Sequence, residues 1–91
     1  MKLKDRVSVI TGAGSGIGRA AAIEFARDGA QVVVADINRA GAIETVRLIQ
    51  QMGGHAHAVE TDVANPESVQ NLVKETLRVF RSEERRVGKE C

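Results

Sequence analysis

The chain has 91 residues, enough for one small domain, with 43% apolar and 27% charged side chains and a net charge of +1. No basic patch precedes residue 81, which argues against nucleic acid as a partner, and no run approaches the ~20 apolar residues that span a bilayer. One cysteine cannot form an internal disulfide and the charged first residues are unlike a signal peptide, so we expect a cytoplasmic protein without membrane contact.

Strand-like and helix-like segments alternate along the chain. Apolar runs predict strands over residues 6–10, 31–36 and 55–61, and helices over residues 17–27, after 38 and after 65. Asn38 and the pair Asn65-Pro66 are good helix starts, and Gly29 fits a helix end. The second strand is apolar without alternation, which indicates burial on both faces. The order β-α-β-α-β-α predicts an α/β fold with a parallel sheet and right-handed crossovers.

Apolar spacing also predicts the buried helix faces. In the second helix the stripe is Ala42, Val46 and Ile49, and in the third it is Val69, Leu72, Val73, Thr76 and Phe80. Phe25, one of only two aromatic residues, is expected in the core. His55 and His57 share one strand face, and since no third ligand is in view we expect an exposed face rather than a metal site.

A glycine-rich turn joins the first strand to the first helix, with the pattern Thr11-Gly-x-x-x-Gly16-x-Gly18 and Gly14 in addition. Such a turn at a helix start holds phosphate, because the first N–H groups of a helix are unpaired and the helix dipole favours negative charge. No lysine lies near the turn, which argues against a nucleotide triphosphatase, and Ile17 stands where the pattern GxGxxG needs its third glycine.

Four features in order resemble the short-chain dehydrogenase/reductase family, and the resemblance covers residues 3–80. They are the TGxxxGIG turn, Asp36 at the end of the second strand, Asp62-Val63 at the end of the third, and the helix opening at Asn65-Pro66. The resemblance implies a Rossmann-type doubly wound sheet, here truncated to three βα units with strand order 3-2-1. Residues 1–80 would be the N-terminal part of an NAD(P)-binding domain.

The turn glycines have distinct expected roles in binding a dinucleotide. Gly12 would form the tight turn, Gly16 and the helix start would place N–H groups on the pyrophosphate, and Gly18 would allow close packing. The expected cofactor-binding residues are Thr11, Gly12, Ser15, Gly16, Ile17, Gly18, Asp36, Ile37, Asp62 and Val63. For Thr11, a purely local role in tying the turn to neighbouring backbone is an open alternative.

The acidic residues at the strand ends favour NAD. The Asp36 carboxylate would accept hydrogen bonds from the adenosine ribose and repel a 2′-phosphate, although nearby Arg39 keeps NADP open. By resemblance, Asp62 and the Val63 backbone would hold the adenine ring. The local alternatives are a helix-capping carboxylate for Asp36 and an Asx-turn for Asp62.

The residues that carry the family's chemistry are missing. Members transfer a hydride between the nicotinamide and an alcohol or carbonyl substrate, using a tyrosine, a lysine and a serine. The chain has no tyrosine, no NNAG turn and no YxxxK. We therefore assign no catalytic residue and expect the chain alone to be inactive. Resemblance also implies a homotetramer for a full-length protein.

Residues 81–91 differ in character from the rest, with seven charges and no periodic apolar face. The string resembles a translated sequencing adapter, so we expect a non-native tail without function.

Two other functions stay open for the folded part. A non-catalytic dinucleotide sensor would use the same fold, and Gly12-Ala-Gly14-Ser-Gly16 fits the turn of an S-adenosylmethionine methyltransferase.

Overall fold

The computed structural model describes residues 6–90. Strands and helices alternate as predicted, in the order β1 (Val7–Thr11), α1 (Gly16–Arg27), β2 (Gln31–Asp36), α2 (Arg39–Gln51), β3 (His55–Glu60) and α3 (Pro66–Glu90). Within residues 6–90, no helix has the length and apolar character needed to cross a membrane.

The three strands form one parallel sheet with β2 in the centre. In the register, Val9 lies beside Val33 and Ala35 beside Val59. Neighbouring strands follow the order 1-2-3, and the predicted order 3-2-1 names the same neighbours from the opposite edge. All of β2 from Gln31 to Ala35 is buried, which confirms the prediction from its uninterrupted apolar run.

Helices cover both faces of the sheet, and β2 contributes alternate side chains to the two cores. One core lies against α1 and α2 and contains Ala22, Ala26, Val32, Val34, Ala42 and Ile49. The other core lies against α3 and contains Val33, Ala35, Val59, Leu72 and Val79. Small side chains on α1 let this helix lie close to the sheet.

The predicted helix ends are confirmed. The Asn38 side chain accepts a hydrogen bond from the Gly41 N–H at 3.1 Å, and the Asn65 side chain accepts one from the Glu67 N–H at 2.9 Å. At the end of α1, Gly29 has a φ of 99°. This left-handed conformation lets the next N–H groups return to the last carbonyls of the helix.

Two predicted core positions are wrong. Val73 is 53% exposed whereas Val79 is 4% exposed, because the stripe of α3 that contacts the sheet is turned toward Val79. Phe25 is 40% exposed and lies at the edge of the core. In α2 the buried set contains Thr45 in addition to Ala42 and Ile49, while Val46 is partly buried. The side chain of Phe80 lies outside the described part of the structure.

Helix α3 continues into the charged tail as far as Glu90. The N-terminal residues 1–5 and Cys91 lie outside the described residues.

Strand β1 forms one edge of the sheet, and its only strand neighbour within residues 6–90 is β2. Val9 on this strand is 42% exposed.

Candidate functional site

The carboxyl ends of the three strands meet at one edge of the sheet and enclose a cavity of about 350 Å³. This is the edge at which open parallel sheets bind their ligands. The cavity is lined by Thr11, Gly12, Ala35, Asp36, Ile37, Thr61, Asp62 and Val63. Most of the predicted site residues are thus brought together here, and the remaining predicted ones, from Ser15 to Gly18, lie at the start of α1.

The glycines of the turn divide into two physical types. Gly12 and Gly16 have φ values of 66° and 56°, and a Cβ on either would meet no atom within 4 Å. They therefore serve the backbone conformation and leave open space above the turn. A Cβ on Gly18 would lie 2.1 Å from the Gly12 carbonyl oxygen, so this position serves close packing of α1 on the turn.

The start of α1 leaves its N–H groups without a side-chain cap. Ser15 occupies the N-cap position in an extended conformation, and its hydroxyl makes no capping hydrogen bond. No acidic residue lies in the first turn of the helix, and the Ile17 side chain is 90% exposed. The first N–H groups and the positive end of the helix dipole are therefore available to an anion.

Asp36 joins the end of β2 to the glycine turn. One carboxylate oxygen, Oδ2, accepts a hydrogen bond from the Gly14 N–H at 2.8 Å, and the other, Oδ1, accepts one from the Asn38 N–H at 2.8 Å. These N–H groups, that of Asn38 first, lower the pKa of Asp36 below its usual value of 3.8 against the opposing effect of burial. The carboxylate is thus ionised at neutral pH. The cap of α2 is Asn38, so the helix-capping alternative for Asp36 is wrong.

Asp62 makes local contacts at the end of β3. Its Oδ1 accepts a hydrogen bond from the Ala64 N–H at 3.0 Å, which is the Asx-turn foreseen as an alternative and uses one of its two carboxylate oxygens. Its own N–H donates to the Ser68 Oγ at 2.8 Å. Val63 and Ile37 are 68% and 64% exposed, and they provide apolar walls for the cavity.

Sequence reasoning missed several residues near the cavity. Thr61 lines it, is 3% exposed, and donates its N–H to the Asp36 carbonyl oxygen at 2.9 Å. Its position directly before Asp62 at a strand end was the available signal. Arg19 and Thr45 contact the glycine turn from α1 and α2, and nothing in the apolar pattern pointed to them.

A polar groove of about 650 Å³ borders the cavity and runs between α2, β3 and α3. Ile37 and Asp62 belong to both spaces, whereas Arg39 lines only the groove. His55 and His57 are exposed on β3, as predicted for an exposed strand face.

Comparison with known proteins gives consistent results. The family model described as short chain dehydrogenase matches residues 6–82. An uncharacterized oxidoreductase of Thermotoga maritima is 45% identical over 80 residues, covering 88% of this chain and 31% of that protein. The 7α-hydroxysteroid dehydrogenase of Escherichia coli K12 is 44% identical over 72 residues, covering 79% of this chain and 28% of that protein.

A solved structure of 7α-hydroxysteroid dehydrogenase, complexed with NADH and 7-oxo glycochenodeoxycholic acid, has a TM-score of 0.85 and 40% identity. The match covers 87% of this chain and 31% of that one. The chain therefore spans about a third of the length of the relatives it matches. With a family match over nearly all described residues and the same fold at 40% identity, the chain belongs to the short-chain dehydrogenase family.

Proposed function

We propose that residues 1–80 form the half of an NAD site that binds adenosine and pyrophosphate, within a longer oxidoreductase that transfers a hydride between the nicotinamide and an alcohol or carbonyl substrate. The observation that carries the proposal is the meeting of the glycine turn, Asp36 and Asp62 around one cavity at the carboxyl edge of the sheet. We treat residues 81–91 as a non-native tail outside this function.

The residues present fit a dinucleotide. Open space above Gly12 and Gly16, beside the uncapped start of α1, would accept the pyrophosphate, with the Thr11 and Ser15 hydroxyls nearby. The Asp36 carboxylate would accept hydrogen bonds from the adenosine ribose hydroxyls. The adenine ring would lie between the Ile37 and Val63 side chains and reach Asp62 with its exocyclic amine. Ile17 and Gly18 would contribute backbone at the helix start.

The charge of Asp36 favours NAD over NADP. Its lowered pKa keeps the carboxylate ionised at neutral pH, and a negative group at the ribose would repel a 2′-phosphate. Arg39, which could attract that phosphate, lines the neighbouring groove rather than the cavity. NADH is also the cofactor named for the solved 7α-hydroxysteroid dehydrogenase complex.

The nicotinamide would supply the hydride acceptor or donor, and the present residues would bind and orient the adenosine end. We assign no catalytic residue within these 91 residues, which contain no tyrosine. The steroid named for the relatives is one candidate within the class of small alcohol and carbonyl substrates. We further propose that the full-length protein is a homotetramer and lies in the cytoplasm. The single cysteine of the chain fits such a reducing compartment.

The test uses a full-length chimera in which residues 6–80 replace the matching segment of the E. coli 7α-hydroxysteroid dehydrogenase. We expect NADH to bind more tightly than NADPH, and S-adenosylmethionine not to bind. Asp36→Asn should weaken NADH binding about tenfold, because hydrogen bonds to a charged acceptor are lost. The matched control is Asp28→Asn, which removes a carboxylate at the far end of α1 in the same way.

Fluorescence titration of the chimera and both variants measures the dissociation constants. Equal affinity for NADH and NADPH would overturn the preference for NAD, and tighter binding of S-adenosylmethionine would overturn the dinucleotide site itself. An uninterrupted gene without YxxxK beyond residue 80 would point to a sensor instead of an enzyme.

A further inference from the structure

A group of polar contacts connects the glycine turn to α1 and α2, outside the cavity lining. The Arg19 guanidinium donates from Nη2 to the Gly14 carbonyl oxygen at 2.6 Å and to the Gly41 carbonyl oxygen at 3.3 Å. It also donates from Nε to the Thr45 Oγ1 at 2.9 Å. One side chain of α1 thus bridges the turn and the first two turns of α2.

Thr45 is the central member of this group. It is fully buried, and its hydroxyl donates to the Ala13 carbonyl oxygen at 2.7 Å while it accepts the Arg19 Nε–H. Its own helix offers the Gly41 carbonyl oxygen at 3.1 Å, but the hydroxyl has one proton to donate and the Ala13 oxygen is closer. Thr45 therefore gives Arg19 a second, indirect link to the turn beside its direct hydrogen bond to the Gly14 carbonyl oxygen.

The peptide unit between Ala13 and Gly14 is held at both ends. Its carbonyl oxygen accepts from Thr45 at 2.7 Å, and its N–H donates to the Asp36 Oδ2 at 2.8 Å. The hydrogen bonds from Arg19 through Thr45 and this peptide to Asp36 all run in one direction, from a cation to a carboxylate. We call this series the Arg19–Asp36 relay. Bonds aligned in this way polarise and strengthen one another.

The packing around Gly14 leaves no space for a side chain at this position. A Cβ on Gly14 would lie 2.7 Å from the Asp36 Oδ2 and 3.1 Å from the Ala42 N atom. A Cβ on Gly41 would lie 2.6 Å from the Gly14 carbonyl oxygen. This explains Gly14, the turn glycine that the TGxxxGxG pattern itself does not require. The turn can approach Asp36 and α2 only where both positions lack a side chain.

We propose that Arg19, acting through Thr45 and through its own hydrogen bond to the Gly14 carbonyl oxygen, is a positioning residue of the dinucleotide site. It holds the Asp36 carboxylate where the ribose hydroxyls would bind. The inference rests on the proposed function, since it concerns the same Asp36. Arg19 and Thr45 do not line the cavity, so their effect on the cofactor would pass through the backbone of Ala13 and Gly14 that they contact. Loss of either side chain should leave the Gly14 N–H, which donates to the Asp36 carboxylate, less firmly held in position.

The experiment is a double-mutant cycle in the chimera. Arg19→Met and Thr45→Val should each raise the dissociation constant of NADH about tenfold, the value of one charge-assisted or buried hydrogen bond. In an Asp36→Asn background the same substitutions should change it less than about twofold, because the group they position is already lost. Thr45→Ser, which keeps the hydroxyl, should restore binding.

Two substitutions serve as matched controls. Arg27→Met removes a cation from the same helix that pairs only with Glu24 in the contacts of residues 6–90. Thr76→Val removes a hydroxyl that donates to the Leu72 carbonyl oxygen within α3. Neither should change the NADH dissociation constant in either background.

The outcomes separate the two proposals. A parent chimera that binds no NADH overturns the proposed function. The relay alone is overturned if the parent chimera binds NADH but the substitutions at Arg19 and Thr45 change the NADH dissociation constant equally in both backgrounds. If neither variant retains a cooperative melting transition, Arg19 and Thr45 are needed for folding itself, and the positioning role is also overturned.

Discussion

The contact between Gly18 and the Gly12 carbonyl oxygen leaves no room for a single added methyl group. The Cβ of Gly18→Ala would lie 2.1 Å from that oxygen and 3.0 Å from the Ala13 Cα. Cβ atoms essentially never approach closer than 3.0 Å, so the turn and α1 must separate by about 1 Å. The obstructing atoms belong to the backbone, and no side-chain rotation can relieve the contact.

The structure gives an order of magnitude for two effects. Overpacking of this kind costs roughly 1–3 kcal/mol of stability, and a backbone obstacle favours the upper end of that range. A shift of about 1 Å would also move N–H groups at the start of α1 out of hydrogen-bonding range of a pyrophosphate in the proposed site. Losing two such bonds at about 1.5 kcal/mol each would weaken NADH binding about 100-fold.

Gly53→Ala is the matched control, because Gly53 has a φ of 84° and a Cβ there would meet nothing within 4 Å. It lies after α2 and should cost about 1–2 kcal/mol through backbone strain alone, without an effect on NADH. Urea unfolding and NADH titration of the two chimera variants measure both quantities. If Gly18→Ala binds NADH within about twofold of Gly53→Ala, the assignment of the turn to the pyrophosphate is refuted.

Two further predictions follow from charge and from the sheet edge. N–H groups of Asn38 and Gly14 lower the pKa of Asp36 below 3.8, so the stability that its ionised form contributes is present above that pH and is lost as the pH falls through the lowered value. The unfolding free-energy difference between the chimera and its Asp36→Asn variant should therefore stay constant from about pH 5 to pH 8, and a change within that range would contradict the assignment. The 91-residue chain alone should associate through the apolar edge of β1 and show no dehydrogenase activity, and Val9→Lys should reduce the light scattering. A soluble monomer with a cooperative melt and micromolar affinity for NAD would contradict this.

The fold was largely predictable because its signals are local. Asn38 and Asn65 cap the helices that they were expected to begin, and β2 is buried as its composition requires. The orientation of α3 about its own axis was not predictable, since both Val73 and Val79 fit a helical stripe. Only the position of the sheet determines that Val79 is buried while Val73 is exposed.

The cavity was predictable for a geometric reason, and the relay was not. Parallel strands place their carboxyl ends at one edge, so Thr11, Asp36 and Asp62, each at or directly after a strand end, line the same cavity. Arg19 and Thr45 are 26 positions apart and belong to different helices. In the sequence, Thr45 is only a polar residue beside an apolar stripe, and its burial depends on how closely the glycine turn approaches α2.

The contacts of Asp36 show why an aspartate suits this position better than its nearest analogues. Its two oxygens already accept the N–H groups of Gly14 and Asn38, yet a carboxylate has about four lone-pair sites, so about two remain for the ribose hydroxyls. An asparagine would present an NH₂ group to one of these N–H donors, and it would lose that contact as well as acceptors for the ribose. A glutamate would move the carboxylate farther from the Gly14 and Asn38 N–H groups that orient it. Because one carboxylate fixes the turn and, in the proposed site, would also contact the ribose, cofactor binding and the order of the glycine turn should stabilise each other.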